Sequence, residues 1–348
     1  MESSLHRPET PRLSICIATY NRGRFIAQTL DSIIGQLDAR VELLVVDGAS
    51  PDDTTEVVER YLSPDRPVRY FRESVNSGVD GDYDKAVGYA RGAYCWLMTD
   101  DDLLEPGAVA RVMAALAGEP DLVVVNAQVR TADFSAVLMD RFLEFQQDRE
   151  YADGSETFFA EVANYLSFIG GVIVKRDLWL GRNRLDYYGT AFVHVGVLFQ
   201  SPPIGRIEFI ADPLIRIRYG NAMWTSRGFE IWMFKWPLLI WSLAGYSDAA
   251  KERVTTREPW KNLRKLIYSR AVGSYSMVEF RQHIAGTSTR AASCQAWLVA
   301  RMPGSIANAI SGIYCIFVNR EARSSAYDLA RSRYSTWVSR LAAQMLDV

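Results

Sequence analysis

The first hundred residues alternate short apolar runs with amphipathic stretches, and this alternation limits the possible folds more than any other feature of the chain. The run Leu13–Thr19 is apolar and β-branched, residues 20–23 break it, and an amphipathic stretch continues to residue 34. The pattern repeats with apolar runs at Val41–Asp47, Val68–Arg72 and residues 93–98, and with helical stretches near residues 51–61 and 83–90. Strands that are apolar on both faces and alternate with helices predict an α/β fold with a mostly parallel sheet and helices on each side.

Polar residues follow each apolar run at the point where the predicted strand ends. They are Thr19, Tyr20 and Asn21 after the first run, Asp47 and Gly48 after the second, residues 73–76 after the third, and Asp100, Asp101 and Asp102 after the fourth. Ligands of open parallel sheets bind beyond the carboxyl ends of the strands, where the strand order reverses. The sequence therefore predicts that four separate loops converge on one crevice.

The three consecutive aspartates, Asp100, Asp101 and Asp102, predict a metal site. Neighbouring carboxylates repel one another and raise each other's pKa unless a cation neutralises them, and their hard oxygens suit Mg²⁺ or Mn²⁺. The alternative is an acidic turn that caps a helix starting near Glu105 and Pro106.

The chain has neither a GxGxxG sequence after the first strand nor a GxxxxGK[ST] sequence. A metal that bridges a diphosphate would supply the positive charge that such loops otherwise provide.

Composition and charge exclude several classes of protein. The 348 residues are 49% hydrophobic and 23% charged, which is typical of a globular protein long enough for two domains. A formal net charge of −2 argues against a nucleic-acid-binding protein, since such binding needs excess Lys and Arg.

The four cysteines show no CxxC or disulfide-framework spacing, so we expect free thiols in a reducing compartment such as the cytoplasm. Residues 1–12 lack the order of a secretory signal, and we expect no membrane-spanning helix.

Four separated motifs carry a resemblance to a known family. They are residues 13–22 (LSICIATYNR), 45–52 (VVDGASPD), 76–78 (NSG) and 90–94 (ARGAY), the last just before the aspartates. In this order and spacing they resemble family 2 glycosyltransferases, strongly over residues 13–117 and more weakly to about residue 219. Residues 78–87 (GVDGDYDKAV) with 94–102 (YCWLMTDDD) look most like abequosyltransferases, bacterial enzymes that add deoxysugars to O-antigen units.

The resemblance implies a GT-A fold, a Rossmann-like sheet flanked by helices, that binds a nucleoside-diphosphate sugar. An acceptor hydroxyl would displace the nucleoside diphosphate at the anomeric carbon, and Mn²⁺ or Mg²⁺ would stabilise the charge on the leaving group. We expect a hexosyltransferase-type enzyme with inverting stereochemistry. It would act on a saccharide or polyprenyl-diphosphate-linked acceptor in lipopolysaccharide O-antigen biosynthesis, in the cytoplasm or peripherally at the inner membrane.

The resemblance also implies roles for individual residues. The donor would contact Thr19, Tyr20, Asn21, Asp47, Asn76, Asp80, Asp84, Lys85 and Asp100. Tyr20 would stack near the base, and Asp47 would accept a hydrogen bond from a base N–H, since an ionised carboxylate only accepts. For residues 80–85 the alternative is a solvated helix start with acids in its first turn.

For the metal ligands and the general base, the resemblance leaves more than one residue as a candidate. Thr99 stands where many members of the family carry the first aspartate of their motif, so either Asp100 with Asp102, or Asp101 alone, would be the main ligand. Family members commonly place an acidic pair in the region that here reads YYGTAFVHVG, residues 187–196, and this chain has none there. His194 is the predicted base, because its unperturbed pKa of ~6.5 suits that role near neutral pH. Asp186 is the alternative.

The second half of the chain differs in composition from the first. We expect residues 1–219 to form the catalytic domain, and residues 220–348 to form a helical C-terminal domain that contacts the acceptor or a membrane surface. The Trp-rich run at residues 229–246, interrupted by Pro237, would either lie in a membrane interface or pack in a helical core. Basic residues at 253–270 could meet anionic lipid or the pyrophosphate of a lipid carrier.

Two other functions fit parts of the sequence. A non-catalytic sugar-nucleotide-binding or glycan-binding module would explain the missing acidic pair but not the intact aspartate triplet. A nucleotidyltransferase would need a glycine-rich phosphate loop after the first strand, and residues 20–24 contain a single glycine.

Overall fold

Ten strands in the described part of the chain form one mixed sheet. The structure is a computed structural model, and it describes residues 10–221, 227–286, 290–319 and 322–348. The strands are β1 (Leu13–Thr19), β2 (Val41–Asp47), β3 (Val68–Arg72), β4 (Tyr94–Met98), β5 (Leu103–Leu104), β6 (Leu122–Arg130), β7 (Val137–Met139), β8 (Arg149–Tyr151), β9 (Val172–Lys175) and β10 (Ile207–Arg218). Their order is β3-β2-β1-β4-β9-β6-β10-β5, with β7 paired to β6 and β8 to β10.

The N-terminal part of the sheet is parallel and the rest is antiparallel. Strand β1 pairs in parallel with β2 and with β4, and β2 pairs in parallel with β3. Strand β9 is antiparallel to both β4 and β6, and β10 is antiparallel to β5 and β8. The predicted α/β fold with flanking helices is confirmed.

Helices occupy the connections and most of the C-terminal part. Their bounds are α1 (Gly23–Ile34), α2 (Thr54–Glu59), α3 (Gly78–Tyr89), α4 (Ala108–Ala115), α5 (Glu156–Val162), α6 (Arg176–Leu180), α7 (Val193–Phe199), α8 (Gly228–Glu230), α9 (Trp236–Ser242), α10 (Asp248–Val254), α11 (Leu263–Val272), α12 (Met277–Glu279), α13 (Arg290–Arg301), α14 (Gly304–Phe317), α15 (Arg323–Arg331) and α16 (Trp337–Met345). Short π-helical turns at Ile231–Lys235 and Phe280–Ile284 join α8 to α9 and extend α12.

Hydrophobic patterning explains the packing of the parallel strands and their helices. Strands β2 and β4 are buried along their whole length, as expected for strands covered on both faces. Helix α1 buries Ile26, Leu30 and Ile33 at helical spacing and leaves Asp31 exposed. Burying one such aliphatic side chain contributes about 1.5 to 3 kcal/mol.

The chain divides into two compact units, and each unit is built from three segments that are separated in the sequence. One comprises Met1–Gln128, Arg141–Ile217 and Leu243–Ala250, and the other comprises Val129–Asp140, Arg218–Ser242 and Lys251–Val348. The division into a catalytic domain at residues 1–219 and a helical domain at 220–348 stays a prediction.

The Trp-rich run at residues 229–246 is mostly buried. The buried side chains include Phe229, Ile231, Met233, Trp236, Leu239, Ile240 and Tyr246, whereas Leu238 is 74% exposed. Phe229 stacks on Tyr275, and Tyr246 stacks on Phe159. These contacts support core packing of the run. Among the residues that the structure describes, no helix combines the length and apolarity needed to cross a bilayer.

Candidate active site

The loops that follow β1, β2 and β4 begin at one edge of the sheet. Thr19, the last residue of β1, is in register with Asp47, the last residue of β2. On the other side of β1, Ile17 is in register with Met98, where β4 ends. Since these three strands are parallel, their carboxyl ends share an edge, as the sequence predicts for a ligand site.

Asp100 and Asp101 face the guanidinium of Arg22. Arg22 Nε lies 3.5 Å from Asp100 Oδ1, and an Arg22 terminal nitrogen lies 3.3 Å from Asp101 Oδ2. Burial, and after it the neighbouring Asp101 carboxylate, raises the pKa of Asp100 to about 7, although the Arg22 guanidinium lowers it. The Arg22 guanidinium therefore lowers the pKa of Asp100 by less than burial and Asp101 together raise it.

Asp102 points to a different partner from its two neighbours. Its carboxylate accepts a hydrogen bond from the Thr99 hydroxyl, and the residue is only 3% exposed. The next helix, α4, has Gly107 as its N-cap, without any side-chain hydrogen bond to the cap. This geometry gives no support to the alternative in which the triplet caps that helix.

The carboxylates of Asp100 and Asp101 fit a divalent cation that a substrate helps to bind. Within the ranges that the structure describes, no three His, Cys, Asp or Glu side chains converge as a ready-made metal cage. Mg²⁺-type sites commonly use one or two carboxylates and take their other ligands from water and substrate phosphates. Two converging carboxylates, one of them with a raised pKa, match that kind of donor set.

Asp47 is fully buried, and its two oxygens are engaged within the protein. Oδ1 accepts the backbone N–H of Ser50 at 2.8 Å, and Oδ2 accepts the hydroxyls of Tyr70 at 2.7 Å and Thr55 at 3.3 Å. Burial raises the pKa of Tyr70, so its hydroxyl stays a donor. Through these contacts Asp47 stabilises the turn that follows β2, and its role toward a nucleobase stays a prediction.

The loop at residues 20–23 is held against the loop that follows β2. Asn21 has a positive φ of 57°, which asparagine tolerates better than most residues, and its N–H donates to the Ser50 hydroxyl at 2.9 Å. The N–H of Gly23 donates to Asp52 at 3.0 Å. Tyr20 is half-buried in this loop, at the sheet edge where the donor is predicted.

Asp80, in the first turn of α3, organises a distant loop. Its Oδ2 accepts the N–H groups of Gly189 at 2.8 Å and Ala191 at 2.9 Å, and its Oδ1 accepts that of Val193 at 2.9 Å. One turn later, Asp84 has a similar function. It accepts hydrogen bonds from Trp179 Nε1 and the Tyr188 hydroxyl, and it pairs with Arg184 Nε at 2.8 Å.

Asp82 lies on the opposite face of α3, because a spacing of two residues rotates a helical side chain by about 200°. It is 3% exposed and accepts a hydrogen bond from the Ser77 hydroxyl. Burial raises its pKa. Lys85 pairs with Glu73 at 2.8 Å, and exposed Asn76 accepts the Gly78 N–H. The resemblance gives no role to Asp82, and helical spacing alone shows that it lies on a different face from Asp80 and Asp84.

The predicted base His194 is a core residue in this structure. It is 2% exposed on α7, whose seven residues are all buried, and its Nε2 lies 2.7 Å from the Leu166 carbonyl. With Nε2–H donating there, the acceptor nitrogen is Nδ1, which is buried without a hydrogen-bond partner. Burial lowers the pKa of His194 to about 4. Asp186 is exposed and accepts a hydrogen bond from Asn183.

Comparison with known proteins identifies the domain. Residues 14–165 match the model of "Glycosyl transferase family 2". The chain carries a family 2 glycosyltransferase domain. The resemblance inferred from the four motifs is confirmed, and the protein is a glycosyltransferase.

Curated relatives include bacterial polysaccharide enzymes. Abequosyltransferase RfbV of Salmonella typhimurium is 26% identical over 233 residues, which cover 62% of this chain and 69% of that protein. A GalNAc(5)-diNAcBac-PP-undecaprenol beta-1,3-glucosyltransferase of Campylobacter jejuni is 31% identical over 104 residues, which cover 30% of this chain and 34% of that protein. The chain thus spans about a third of the second relative.

Solved structures of glycosyltransferases share the GT-A fold of this chain. Residues 1–349 of S. aureus TarS in complex with UDP align with a TM-score of 0.56 at 15% identity, over 96% of this chain and 90% of that one. The mannosyltransferase PcManGT of Pyrobaculum calidifontis, in complex with GDP-Man and Mn²⁺, aligns with a TM-score of 0.51 at 16% identity, over 96% and 87%. At such identities the likeness establishes the fold.

Proposed function

We propose that this glycosyltransferase moves a sugar, such as a deoxyhexose, from a nucleoside-diphosphate donor to a saccharide or lipid-linked saccharide in bacterial O-antigen assembly. The observation that carries the proposal is the convergence of Arg22, Asp100 and Asp101 at the carboxyl edge of the parallel strands. The relatives support it, since one is named an abequosyltransferase and another is named for an undecaprenol-linked acceptor.

Asp100 and Asp101 would hold Mn²⁺ or Mg²⁺ together with the donor diphosphate. When bound, such a cation stabilises the negative charge that develops on the leaving nucleoside diphosphate. Arg22 contacts both carboxylates, so it is placed to contribute positive charge to the same phosphates. The loop of Tyr20 and Asn21 lies at the adjacent strand end, where it can contact the nucleoside.

Asp186 is the stronger of the two base candidates on geometric grounds. A general base must reach the acceptor hydroxyl, and Asp186 is exposed, so an acceptor could approach its carboxylate without a rearrangement of the core. His194 would have to leave the core to present Nδ1. Asp186 precedes the loop that Asp80 and Asp84 tether to α3, and this tether would hold the base in a fixed position for an inverting displacement.

The acceptor is proposed to be presented at the cytoplasmic face of the inner membrane. Helix α14 exposes Ile306, Ile310, Ile313 and Phe317 at helical spacing, and α16, which packs against α14, exposes Trp337, Leu341 and Met345. Exposed apolar stripes on neighbouring helices, with Arg340 beside Leu341, suit contact with an anionic lipid surface. This placement also fits a polyprenyl-linked acceptor.

Release of nucleoside diphosphate from a panel of nucleotide sugars tests the proposal. With Mn²⁺ present, we expect the purified protein to release diphosphate from one donor, slowly to water and faster with a lipid-linked acceptor extract. Binding of a nucleotide sugar without release, with or without acceptor, would instead identify a non-catalytic binding module.

A further inference from the structure

We infer that Asp82, and not Asp47, is the carboxylate that accepts an N–H from the nucleobase of the donor, and so selects the base. The inference rests on the proposed function, because it assigns a residue to the donor that this function requires. It concerns a residue that neither the motifs nor the resemblance singled out.

The position of the base follows from the strand order. The cation and diphosphate would lie at the end of β4, and the order β2-β1-β4 places the end of β2 two strands away. Two inter-strand spacings are ~10 Å, which is comparable to the reach of a nucleotide from its diphosphate to its base. The base is therefore expected above the end of β2, at Asp47 and Gly48.

At that position a second carboxylate, that of Asp82, borders the space beside Gly48 and is itself 3% exposed. A Cβ atom built on Gly48 would lie 2.6 Å from Asp82 Oδ2 and 3.5 Å from Asn76 Cγ. The absence of a side chain at Gly48 thus makes room for Asp82. Asp47, one residue earlier, is fully buried and already accepts three hydrogen bonds from its own loop and from Tyr70.

The surroundings of Asp82 hold it in this orientation. The Ser77 hydroxyl donates to Oδ1, on the side of the carboxylate away from Gly48, and Lys85 Nζ lies 3.9 Å from the same oxygen. Oδ2 is the oxygen directed at the space above Gly48. A carboxylate oxygen held in this way accepts an N–H donor, so it would recognise a base edge that presents an N–H group.

Two variants and one matched control test this assignment. Asp82→Asn converts the acceptor into an amide that can also donate, and Gly48→Ala inserts the Cβ that meets Oδ2. Asp65→Asn removes a carboxylate from an exposed turn outside the site. Each protein is titrated calorimetrically with CDP, UDP, GDP and dTDP in the presence of Mn²⁺, and separately with pyrophosphate and Mn²⁺.

We expect the wild type to prefer one base. Asp82→Asn should weaken binding of that diphosphate at least ~10-fold, which is about 1.4 kcal/mol, and should reduce the selectivity. Gly48→Ala should change the selectivity in the same direction. Pyrophosphate affinity should stay unchanged in both variants, and Asp65→Asn should match the wild type throughout.

Several outcomes would overturn the inference. Unchanged base selectivity in both variants would exclude Asp82 as the base contact while leaving the proposed function intact. An equal loss of pyrophosphate binding would assign Asp82 to the fold or to the cation site. If the wild type binds no nucleoside diphosphate, the proposed function fails, and the inference fails with it.

Discussion

At the scale of single residues, the site brings two carboxylates and one guanidinium together. Arg22 contacts Asp100 and Asp101, yet burial and the neighbouring Asp101 keep the pKa of Asp100 raised to about 7. A bound divalent ion would lower that pKa, because it adds positive charge beside the same carboxylates. The raised pKa of Asp100 and the aspartate motif therefore both support a cation site at this position.

Replacing Asp101 by asparagine should abolish turnover without unfolding the protein. The variant removes one of the two converging carboxylates, and we expect the Mn²⁺-dependent kcat to fall on the order of 100-fold or more. Thermal unfolding should shift only moderately, because Asp100 still pairs with the Arg22 guanidinium when the Asp101 carboxylate is removed. Asp65→Asn is the control. Wild-type turnover in Asp101→Asn would remove Asp101 from the cation site.

His194 should make the protein less stable in mild acid. Its pKa of about 4 in the folded state lies below ~6.5 in the unfolded chain, so the unfolded state gains a proton first as the pH falls. The free energy of unfolding should therefore decrease by about 3 kcal/mol between pH ~6.5 and 4 on this account. In His194→Gln, which can still donate to Leu166, urea titrations from pH 7 to 4 should lack this component. Parallel pH dependences in both proteins would contradict the burial of the ring.

The same variant also tests the catalytic role predicted for His194. A kcat close to wild type, with an unchanged affinity for the donor, would leave His194 as a core residue. A large fall in kcat in a folded protein would support its role as the base.

At the scale of elements, local patterns predict the strands, whereas the partners of individual side chains depend on tertiary structure. Runs Leu13–Thr19, Val41–Asp47 and Val68–Arg72 are strands with the expected bounds, because hydrophobic periodicity is local information. The roles of Asp80 and Asp84 depend on partners about a hundred residues away, such as Gly189 and Tyr188, which no local pattern reveals. The burial of His194 likewise arises from tertiary packing.

The tether between α3 and the following loop should matter for both stability and turnover. Asp80→Asn keeps the shape but weakens acceptance of three backbone N–H groups, so we expect a loss of about 2 to 4 kcal/mol in unfolding free energy. The kcat should fall because Asp186 precedes this loop, while affinity for the diphosphate with Mn²⁺ stays the same. Urea unfolding, steady-state kinetics and calorimetry measure the three quantities.

A different result for Asp80→Asn would support the donor contact that the resemblance implies for Asp80. Full stability together with weaker donor binding would mean that Asp80 contacts the donor and not the loop. Asp84→Asn offers a second variant, because Asp84 holds Tyr188 and Trp179 of the same segment.

At the scale of the whole molecule, a nucleotide-binding sheet occurs together with helices that expose apolar faces. Phe317 on α14 is 71% exposed, and Trp337 on α16 is 70% exposed. Large exposed apolar patches mark interaction surfaces. An enzyme whose acceptor is attached to a lipid would gain from such a surface, because it would hold the protein at the membrane that carries the acceptor.

Replacing Ile310 and Phe317 together by glutamate should prevent binding to membranes. Both residues are exposed, so we expect the variant to fold normally but to lose sedimentation with vesicles containing anionic lipid. Release of diphosphate to water should stay at the wild-type rate. Replacing exposed Arg24 by glutamine gives a surface control on α1. Equal sedimentation of variant and wild type would remove these stripes from the membrane contact.

The most direct test of the central claim is the thermal stability of the protein with CDP, UDP, GDP or dTDP, each with and without Mn²⁺. A ligand that binds only the folded state raises Tm by mass action. We predict that one diphosphate raises Tm, that the increase requires Mn²⁺, and that Asp101→Asn abolishes it. No increase with any diphosphate, at concentrations far above a typical dissociation constant, would contradict a metal-dependent nucleotide-sugar site.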